Sequence, residues 1–91
     1  MTRVRIPPVL RVHVGDQKEV DASGDTVGAV LKDLAGRHPG LGEQLFNSDG
    51  ALHRFVNVYL NGRDVRYLEL LDTPVGERDA VIILPAMAGG A

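Results

Sequence analysis

The chain ends in the stretch Ala80–Ala91, AVIILPAMAGGA, and this stretch decides how the rest must fold. Within its first part, Ala80–Leu84, the unbroken apolar run Val81–Leu84 fits a strand at the centre of a sheet. Pro85 has a fixed φ and no N–H, so it cannot continue a central ladder. Residues 86–91 carry no charge and little bulk, so they should bury little surface and stay mobile. The ending predicts one domain over residues 1–85 and a flexible tail over residues 86–91.

The predicted tail is thin. If it is extended, Pro85 to Gly90 would span at most about 20 Å, at ~3.4 Å per residue. Glycine lets the backbone enter a channel that is too narrow for any side chain, with φ of either sign. A disordered chain end without a function would have the same composition. The residues before the tail are therefore needed to distinguish it from a tail that enters a partner's channel.

Composition indicates a globular protein and excludes several classes. The 91 residues are 44% hydrophobic and 24% charged, which suits one folded domain and argues against disorder. A net charge of −2 without a Lys/Arg run predicts no nucleic-acid partner. The apolar stretches are too short to cross a membrane and no signal-peptide pattern opens the sequence, so we expect a cytoplasmic protein.

The sequence offers no catalytic centre. It has no cysteine, which excludes disulfides, thiol catalysis and sulfur carried as a cysteine persulfide. The three histidines are widely spaced and do not have metal-ligand spacing. No nucleophile–base pair or phosphate-cradling glycine loop can be identified. We therefore expect no enzyme activity, no metal and no cofactor.

Turn and periodicity signals give the order strand, strand, helix, strand, strand, strand. Asp25 or Thr26 is a good N-cap for the one long helix, which should end near His38 before Pro39. Asn61-Gly62 is a strong hairpin signal. The predicted elements are strands over 2–14 (irregular at Pro7-Pro8), 18–22, 55–60, 63–66 and 80–84, a helix from 27, a short helical turn or two over 41–46, and a partly helical connector over 67–75 whose Leu68, Leu70 and Leu71 point inward. This order predicts an α+β, ubiquitin-like β-grasp fold: a mixed sheet of about five strands over one main helix, with the last strand central and paired with the first.

Alternation along the strands assigns two faces to the sheet. The side chains predicted to meet the helix are Val56, Val58, Leu60, Val81 and Ile83. The opposite face presents Asn57 together with four larger side chains, Phe55, Tyr59, Ile82 and Leu84, and nothing else in the chain can cover it. Because an uncovered patch with aromatic and aliphatic members marks a partner site, we predict that these four form a docking face.

Three segments carry a resemblance to a known family. They are Ser23–Thr26 (SGDT), His53–Tyr59 (HRFVNVY) and Ile83–Gly90 (ILPAMAGG). With these segments the whole chain resembles the ubiquitin-like sulfur-carrier family, which includes the small subunit of molybdopterin synthase and the thiamine sulfur carrier. The likeness is greatest to the members that carry sulfur for cysteine synthesis.

The resemblance implies a chemistry for the chain end and a set of partners. An ATP-dependent, E1-like activating enzyme and sulfurtransferase would adenylate the Gly90 carboxylate, and a sulfur nucleophile would convert it to a thiocarboxylate. Met87, Ala88 and Gly89 would pass through the partner's channel. The acceptor would be an aminoacrylate on a pyridoxal-phosphate-dependent cysteine synthase, and a zinc metallopeptidase would cut the resulting carrier–cysteine bond. Ala91 departs from the family pattern, so it is either removed proteolytically before use or an added residue.

Several readings stay open at this point. The chain could be a carrier, a ubiquitin-like binding or regulatory subunit that uses its sheet face, or a protein modifier conjugated through Gly90. If it is a carrier, its acceptor could also be the molybdopterin precursor, the thiazole of thiamine, or a thiosugar or other secondary-metabolite synthase.

Overall fold

A computed structural model of the protein describes residues 1–53 and 56–85. Five strands form one mixed sheet in the order β2-β1-β5-β3-β4. The elements are β1 (Thr2–Arg5), β2 (Glu19–Ala22), α1 (Val27–Arg37), α2 (Pro39–Leu45), β3 (Val56–Leu60), β4 (Arg63–Asp64) and β5 (Ala80–Pro85). β5 lies at the centre, parallel to β1 and antiparallel to β3. The predicted β-grasp order and the central position of the last strand are confirmed.

One core joins the sheet to the helices. The α1 residues Val27, Val30, Leu31 and Leu34 are fully buried, and they belong to the same apolar cluster as the inward residues of the sheet. The helix begins after Thr26, whose Oγ1 accepts a hydrogen bond from the backbone N–H of Ala29 at 3.1 Å. Of the two predicted N-caps, Thr26 is therefore the one used. No helix in the two described ranges is long and apolar enough to cross a membrane.

The segment after β1 differs from its prediction. The first strand was expected to reach Val14, but it ends at Arg5, and Pro8–Val14 forms a 3₁₀ helix. Pro8 has no N–H to give to a ladder, and the 3₁₀ turns bury Leu10 and Val14 while Val9 and Val12 face solvent. β1 and β2 still pair antiparallel as predicted, but a 3₁₀ helix joins them instead of a tight turn.

The connector between β4 and β5 also departs from the sequence reading. The return strand was predicted to span residues 63–66, but β4 has only two residues, and 3₁₀ turns follow over Val65–Tyr67 and Leu70–Asp72. Leu68 and Leu71 pack against the core as expected. The prediction for Leu70 is wrong: its side chain is 54% exposed, on a backbone with φ of 54°.

Gly24 lies where the chain enters α1, and a side chain there should be costly. A Cβ on Gly24 would lie 2.6 Å from the backbone nitrogen of Val30 and 2.7 Å from the carbonyl carbon of Ala29. Because both are helix backbone atoms, Gly24→Ala should shift α1 and destabilise the fold by about 1–3 kcal/mol. The matched control is Gly36→Ala, which lies within α1 and has open space around it, and which should stabilise the fold by up to about 1 kcal/mol. Urea unfolding followed by far-UV circular dichroism measures both. Equal effects of the two substitutions would contradict the close approach.

Asn61 ties the β3–β4 hairpin to the start of β5. Its φ of 52° and that of Gly62, 88°, make the predicted tight turn. Its backbone N–H donates to the Ala80 carbonyl at 2.9 Å, and its Oδ1 accepts from the Ala80 N–H at 2.9 Å. Its Nδ2 donates to Asp79 Oδ1 at 2.8 Å. The Asn-Gly signal predicted the turn but not this link to the central strand.

Asn61→Ala should therefore destabilise the protein by about 1–3 kcal/mol, because it removes two side-chain hydrogen bonds and places alanine at positive φ. Urea unfolding measures this change.

The same contacts should make the free energy of unfolding depend on pH in the acid range. The Asn61 amide donor and the Gly76 N–H hold the pKa of Asp79 below its usual value. Stability from Asp79 is thus present above its unfolded pKa and lost as pH falls through its lower folded pKa. Asp79→Asn should flatten this acid dependence in urea titrations, and an unchanged profile would contradict the assignment.

Candidate functional site

The tail predicted to carry the chemistry begins where the described structure ends. The predicted attachment residue Gly90, the channel residues Met87, Ala88 and Gly89, and the removable Ala91 all lie outside the described residues. What the structure places is the strand that leads to them. Pro85 lies opposite Val56, and Leu84 lies opposite Asn57, in the antiparallel ladder between β5 and β3.

The strand that leads to the tail is anchored in the sheet. β5 pairs with β1 from Ala80 to Ile82 and with β3 from Val81 to Pro85, so its last three residues pair with β3 alone. Ile83 is fully buried between the sheet and the helices. A strand that is hydrogen-bonded to two neighbours and anchored in the core gives the tail a fixed origin, so a partner can position the chain end by binding the domain.

Three of the four predicted docking residues lie together on the sheet face opposite the helices. We call Tyr59, Ile82 and Leu84 the outer patch; Tyr59 lies directly opposite Ile82 in the ladder. Tyr59 and Ile82 are half-buried, and Leu84 is 42% exposed. The fourth predicted member, Phe55, lies outside the described residues. The alternation is as predicted, whereas the docking role stays a prediction.

Charged side chains border the outer patch, and the sequence reading did not single them out. On the β1 side, Arg5 lies beside Ile82 in register, with Arg3 on the same face. On the β3 side, Arg66 donates to the Asn57 side-chain oxygen, and Asp64 accepts from the Arg66 backbone N–H at 2.9 Å. The alternation Thr2-Arg3-Val4-Arg5, buried and exposed in turn, was the signal that could have placed both β1 arginines on this face.

Side chains on the opposite end of the sheet also bind one another. Asp33 of α1 accepts from the Ser23 backbone N–H at 2.8 Å and pairs with Arg37 at 2.9 Å, and Arg37 also donates to the Asp21 carbonyl at 2.5 Å. The Ser23 N–H, followed by Arg37, holds the pKa of Asp33 below its usual value. The Arg37 contact satisfies one backbone carbonyl of β2, the outermost strand on that side.

The described part of the chain shows no arrangement for holding a metal ion, since no three His, Asp or Glu groups in it come together. An open cleft of about 600 Å³ lies beside the β3–β4 hairpin; its lining residues include Leu60, Arg63, Leu68 and Glu69. The lining contains no pairing of a nucleophile with a base. We therefore take the root of the tail and the outer patch as the candidate functional site.

Comparison with known proteins gives a consistent result. The profile of the ThiS family matches residues 4–90. The sulfur carrier protein CysO of Mycobacterium tuberculosis is 53% identical over 89 residues, 96% of each chain. A putative sulfur carrier protein of Archaeoglobus fulgidus is 38% identical over 91 residues, 97% of each chain.

Solved structures agree with the fold. The complex of BexX and CysO from Amycolatopsis orientalis contains a chain that superposes with a TM-score of 0.89 at 43% identity, covering 99% of this chain and 100% of that one. The small archaeal modifier protein 1 of Methanosarcina acetivorans gives a TM-score of 0.87 at 30% identity, covering 98% of this chain and 95% of that one.

Proposed function

We propose that this chain, which belongs to the ThiS family of sulfur carrier proteins, carries its sulfur as a thiocarboxylate on Gly90. Family membership confirms the resemblance drawn from the sequence, and the protein is a carrier and substrate, not a catalyst. The observation that carries the proposal for Gly90 is that the matched region ends at the second glycine, with Ala91 beyond it.

The chemistry needs an activated chain end. A carboxylate is a poor electrophile, so an E1-like enzyme would join the Gly90 carboxylate to the α-phosphorus of ATP and release pyrophosphate. A hydrosulfide ion bound by that enzyme would then attack the acyl-adenylate carbon. The C–S bond forms, the C–O bond to phosphate breaks, and AMP leaves with the electron pair. No residue of the carrier takes or gives a proton in this sequence.

The domain would contribute binding and position. The outer patch would dock on the partner, and Met87, Ala88 and Gly89 would run through a channel to the reacting groups. The small side chains and missing charges of these residues support this passage. The length of the tail keeps Gly90 within about 20 Å of Pro85, so a partner docked on the sheet face beside Pro85 would have Gly90 within that reach.

The acceptor proposed here is the one implied by the CysO relatives. A pyridoxal-phosphate-dependent cysteine synthase would present an aminoacrylate, the thiocarboxylate sulfur would add to its β-carbon, and the product would be cysteine linked to the carrier. A zinc metallopeptidase would then hydrolyse that bond. A CysO from Amycolatopsis orientalis forms a solved complex with another protein, BexX. A synthase for a thiosugar or another secondary metabolite stays an alternative acceptor for this chain.

The first test concerns Ala91. With Ala91 present, the Gly90 carbonyl is an amide and offers no carboxylate. Intact mass of the protein purified from its native host should correspond to a chain ending at Gly90. Persistence of Ala91 in a protein that is nevertheless thiolated at its end would exclude Gly90 as the attachment site.

The second test separates carriage from protein modification, which the similarity to a small archaeal modifier protein keeps as a second candidate. Protein ending at Gly90 is incubated with its activating enzyme, ATP and a sulfur source. Carriage predicts a mass change equal to one oxygen replaced by sulfur. A ladder of lysine conjugates would instead indicate a modifier, and an unchanged mass would indicate a binding module.

A further inference from the structure

The chain contains very few amines, and one of them lies near the start of the tail. Of its ten basic residues, eight are arginine and only Lys18 and Lys32 are lysine. An amine attacks an acyl-adenylate to give an amide, whereas a guanidinium stays protonated and does not attack. The amines that could react with an activated chain end are thus the two lysine side chains and the α-amine of Met1.

Lys18 lies at the end of the sheet from which the tail departs. Its carbonyl accepts the Ile6 backbone N–H at 2.8 Å, so Lys18 is the neighbour of Ile6 across the β1–β2 pair. Continuing the parallel β1–β5 register by one residue places Ile6 level with Ile83, two residues before Pro85. With strands about 4.8 Å apart and a rise of about 3.3 Å per residue, the Cα atoms of Lys18 and Pro85 are about 12 Å apart.

The tail is long enough to bring Gly90 back to this lysine. Pro85 to Gly90 spans about 20 Å when extended, which exceeds the separation of about 12 Å and leaves length for a turn. Lys18 is exposed, and its ammonium group makes no hydrogen bond or ion pair with residues 1–53 or 56–85. The amine is therefore both within reach of the chain end and accessible to it.

The other two amines lie farther from the chain end. Lys32 is exposed on α1, on the side opposite the stripe that packs on the sheet, so the helix and the core separate it from the sheet. Met1 precedes β1, at the end of the sheet where β5 begins, about seven residues or ~23 Å along the strands from Pro85. A tail of about 20 Å does not cover that distance. The geometry therefore favours Lys18.

We propose that Lys18 is an internal acceptor for the activated chain end and forms an isopeptide bond with Gly90. The inference rests on the proposed function, which supplies the acyl-adenylate. The Lys18 amine attacks the acyl carbon once the adenylate leaves the activating enzyme. The C–N bond forms, the C–O bond to phosphate breaks, AMP leaves with the electron pair, and the amine proton passes to solvent. The product is a ring without a terminal carboxylate, so hydrosulfide and Lys18 compete for one intermediate.

The reaction should be intramolecular. A group on a short flexible linker meets its partner at an effective concentration on the order of 1 mM. In a solution of about 1 µM carrier, this exceeds the concentration of lysines on other carrier molecules by roughly 1,000-fold. The expected product is therefore a cyclic monomer and not a conjugate of two carriers.

The test incubates the protein ending at Gly90 with its activating enzyme and ATP, without a sulfur source. Intact mass should show a monomer lighter by one water, and peptide mapping should join Lys18 to Gly90. Lys18→Arg keeps the charge but removes the amine, so it should lower the yield of this species by about 10-fold or more. The matched control is Lys32→Arg, the same change on α1, which should leave the yield as in the wild type. Added hydrosulfide should divert the wild type to thiocarboxylate.

Activation without the enzyme separates this inference from the proposed function. A thioester at Gly90, made by intein-mediated thiolysis, should expel its thiol and give the same ring in the wild type, but only the linear acid in Lys18→Arg. The inference is overturned if the thioester gives no ring, if Lys18→Arg and the wild type give equal yields, or if the wild type takes up sulfur yet forms no ring without it. A ring from the thioester, with neither ring nor thiocarboxylate from ATP and the enzyme, would support Lys18 as the acceptor and contradict the proposed activation of Gly90.

Discussion

Ile83→Ala is expected to bring the protein close to unfolding at 25 °C, whereas Leu84→Ala, one residue further along the same strand, should be well tolerated. Ile83 is fully buried in the centre of the sheet, and Leu84 is 42% exposed on the outer face. Truncating a buried isoleucine to alanine costs about 2–5 kcal/mol, because buried surface is lost and a cavity remains. The total free energy of unfolding of a small domain is only about 5–15 kcal/mol. The partly exposed leucine should cost about 1 kcal/mol.

Urea unfolding followed by far-UV circular dichroism measures both variants against the wild type. The urea concentration at the unfolding midpoint should fall strongly for Ile83→Ala and slightly for Leu84→Ala. The dependence of the free energy of unfolding on urea concentration should be the same in all three proteins. Because the two substitutions remove similar side chains from neighbouring positions, they differ mainly in the face they occupy. Equal shifts of the midpoint would show that β5 is not buried on the helix side as the alternation requires.

The parts of the fold that were predicted correctly are those with a local cause. The hairpin follows from Asn61-Gly62, where both residues adopt positive φ. The start of α1 follows from the Thr26 side chain and the apolar periodicity behind it. In each case the interaction that forms the structure joins residues a few positions apart, so the sequence displays it directly.

The parts that were predicted wrongly depend on distant neighbours. Residues 8–14 are rich in β-branched and apolar side chains, yet they form a 3₁₀ helix because Leu10 and Val14 join the core beneath the sheet. Leu70 was expected to point inward, as its apolar side chain suggests. Its backbone has positive φ at the first residue of the second 3₁₀ turn, and its side chain is exposed to solvent. Pro7-Pro8 marks where the ladder has to stop, but no local pattern predicts the 3₁₀ helix that follows or the exposure of Leu70.

The site divides in the same way. Composition alone predicted a thin uncharged tail, and strand alternation predicted the outer patch. The pairing of the first and last strands was predicted, but the arginines beside the patch were missed because the register that puts Arg5 next to Ile82 was not. That pairing joins segments separated by most of the chain, and its register cannot be read from either segment by itself.

Proteins ending at Gly89, Gly90 and Ala91 should fold equally well but differ sharply in their ability to take up sulfur. All three keep residues 1–85, so their unfolding midpoints should agree. Removing or adding one residue moves the terminal carboxylate by about 3.4 Å along the tail. A misplacement of about 1 Å at a reacting centre can reduce the rate by roughly 100-fold. We therefore expect only the chain ending at Gly90 to form thiocarboxylate at a measurable rate with ATP, the activating enzyme and a sulfur source.

Intact mass over time gives the rate for each length, and Lys32→Ala in the chain ending at Gly90 serves as the control for a substitution that leaves the tail unchanged. Lys32 is exposed on α1, so this variant should be thiolated like the unsubstituted chain. Equal rates for the three lengths would mean that the enzyme reads the domain and not the position of the last glycine. In that case the anchoring of the chain at Pro85 would not determine where the terminal carboxylate reacts. An anchored tail places its carboxylate at a defined position only if the number of residues in the tail is fixed.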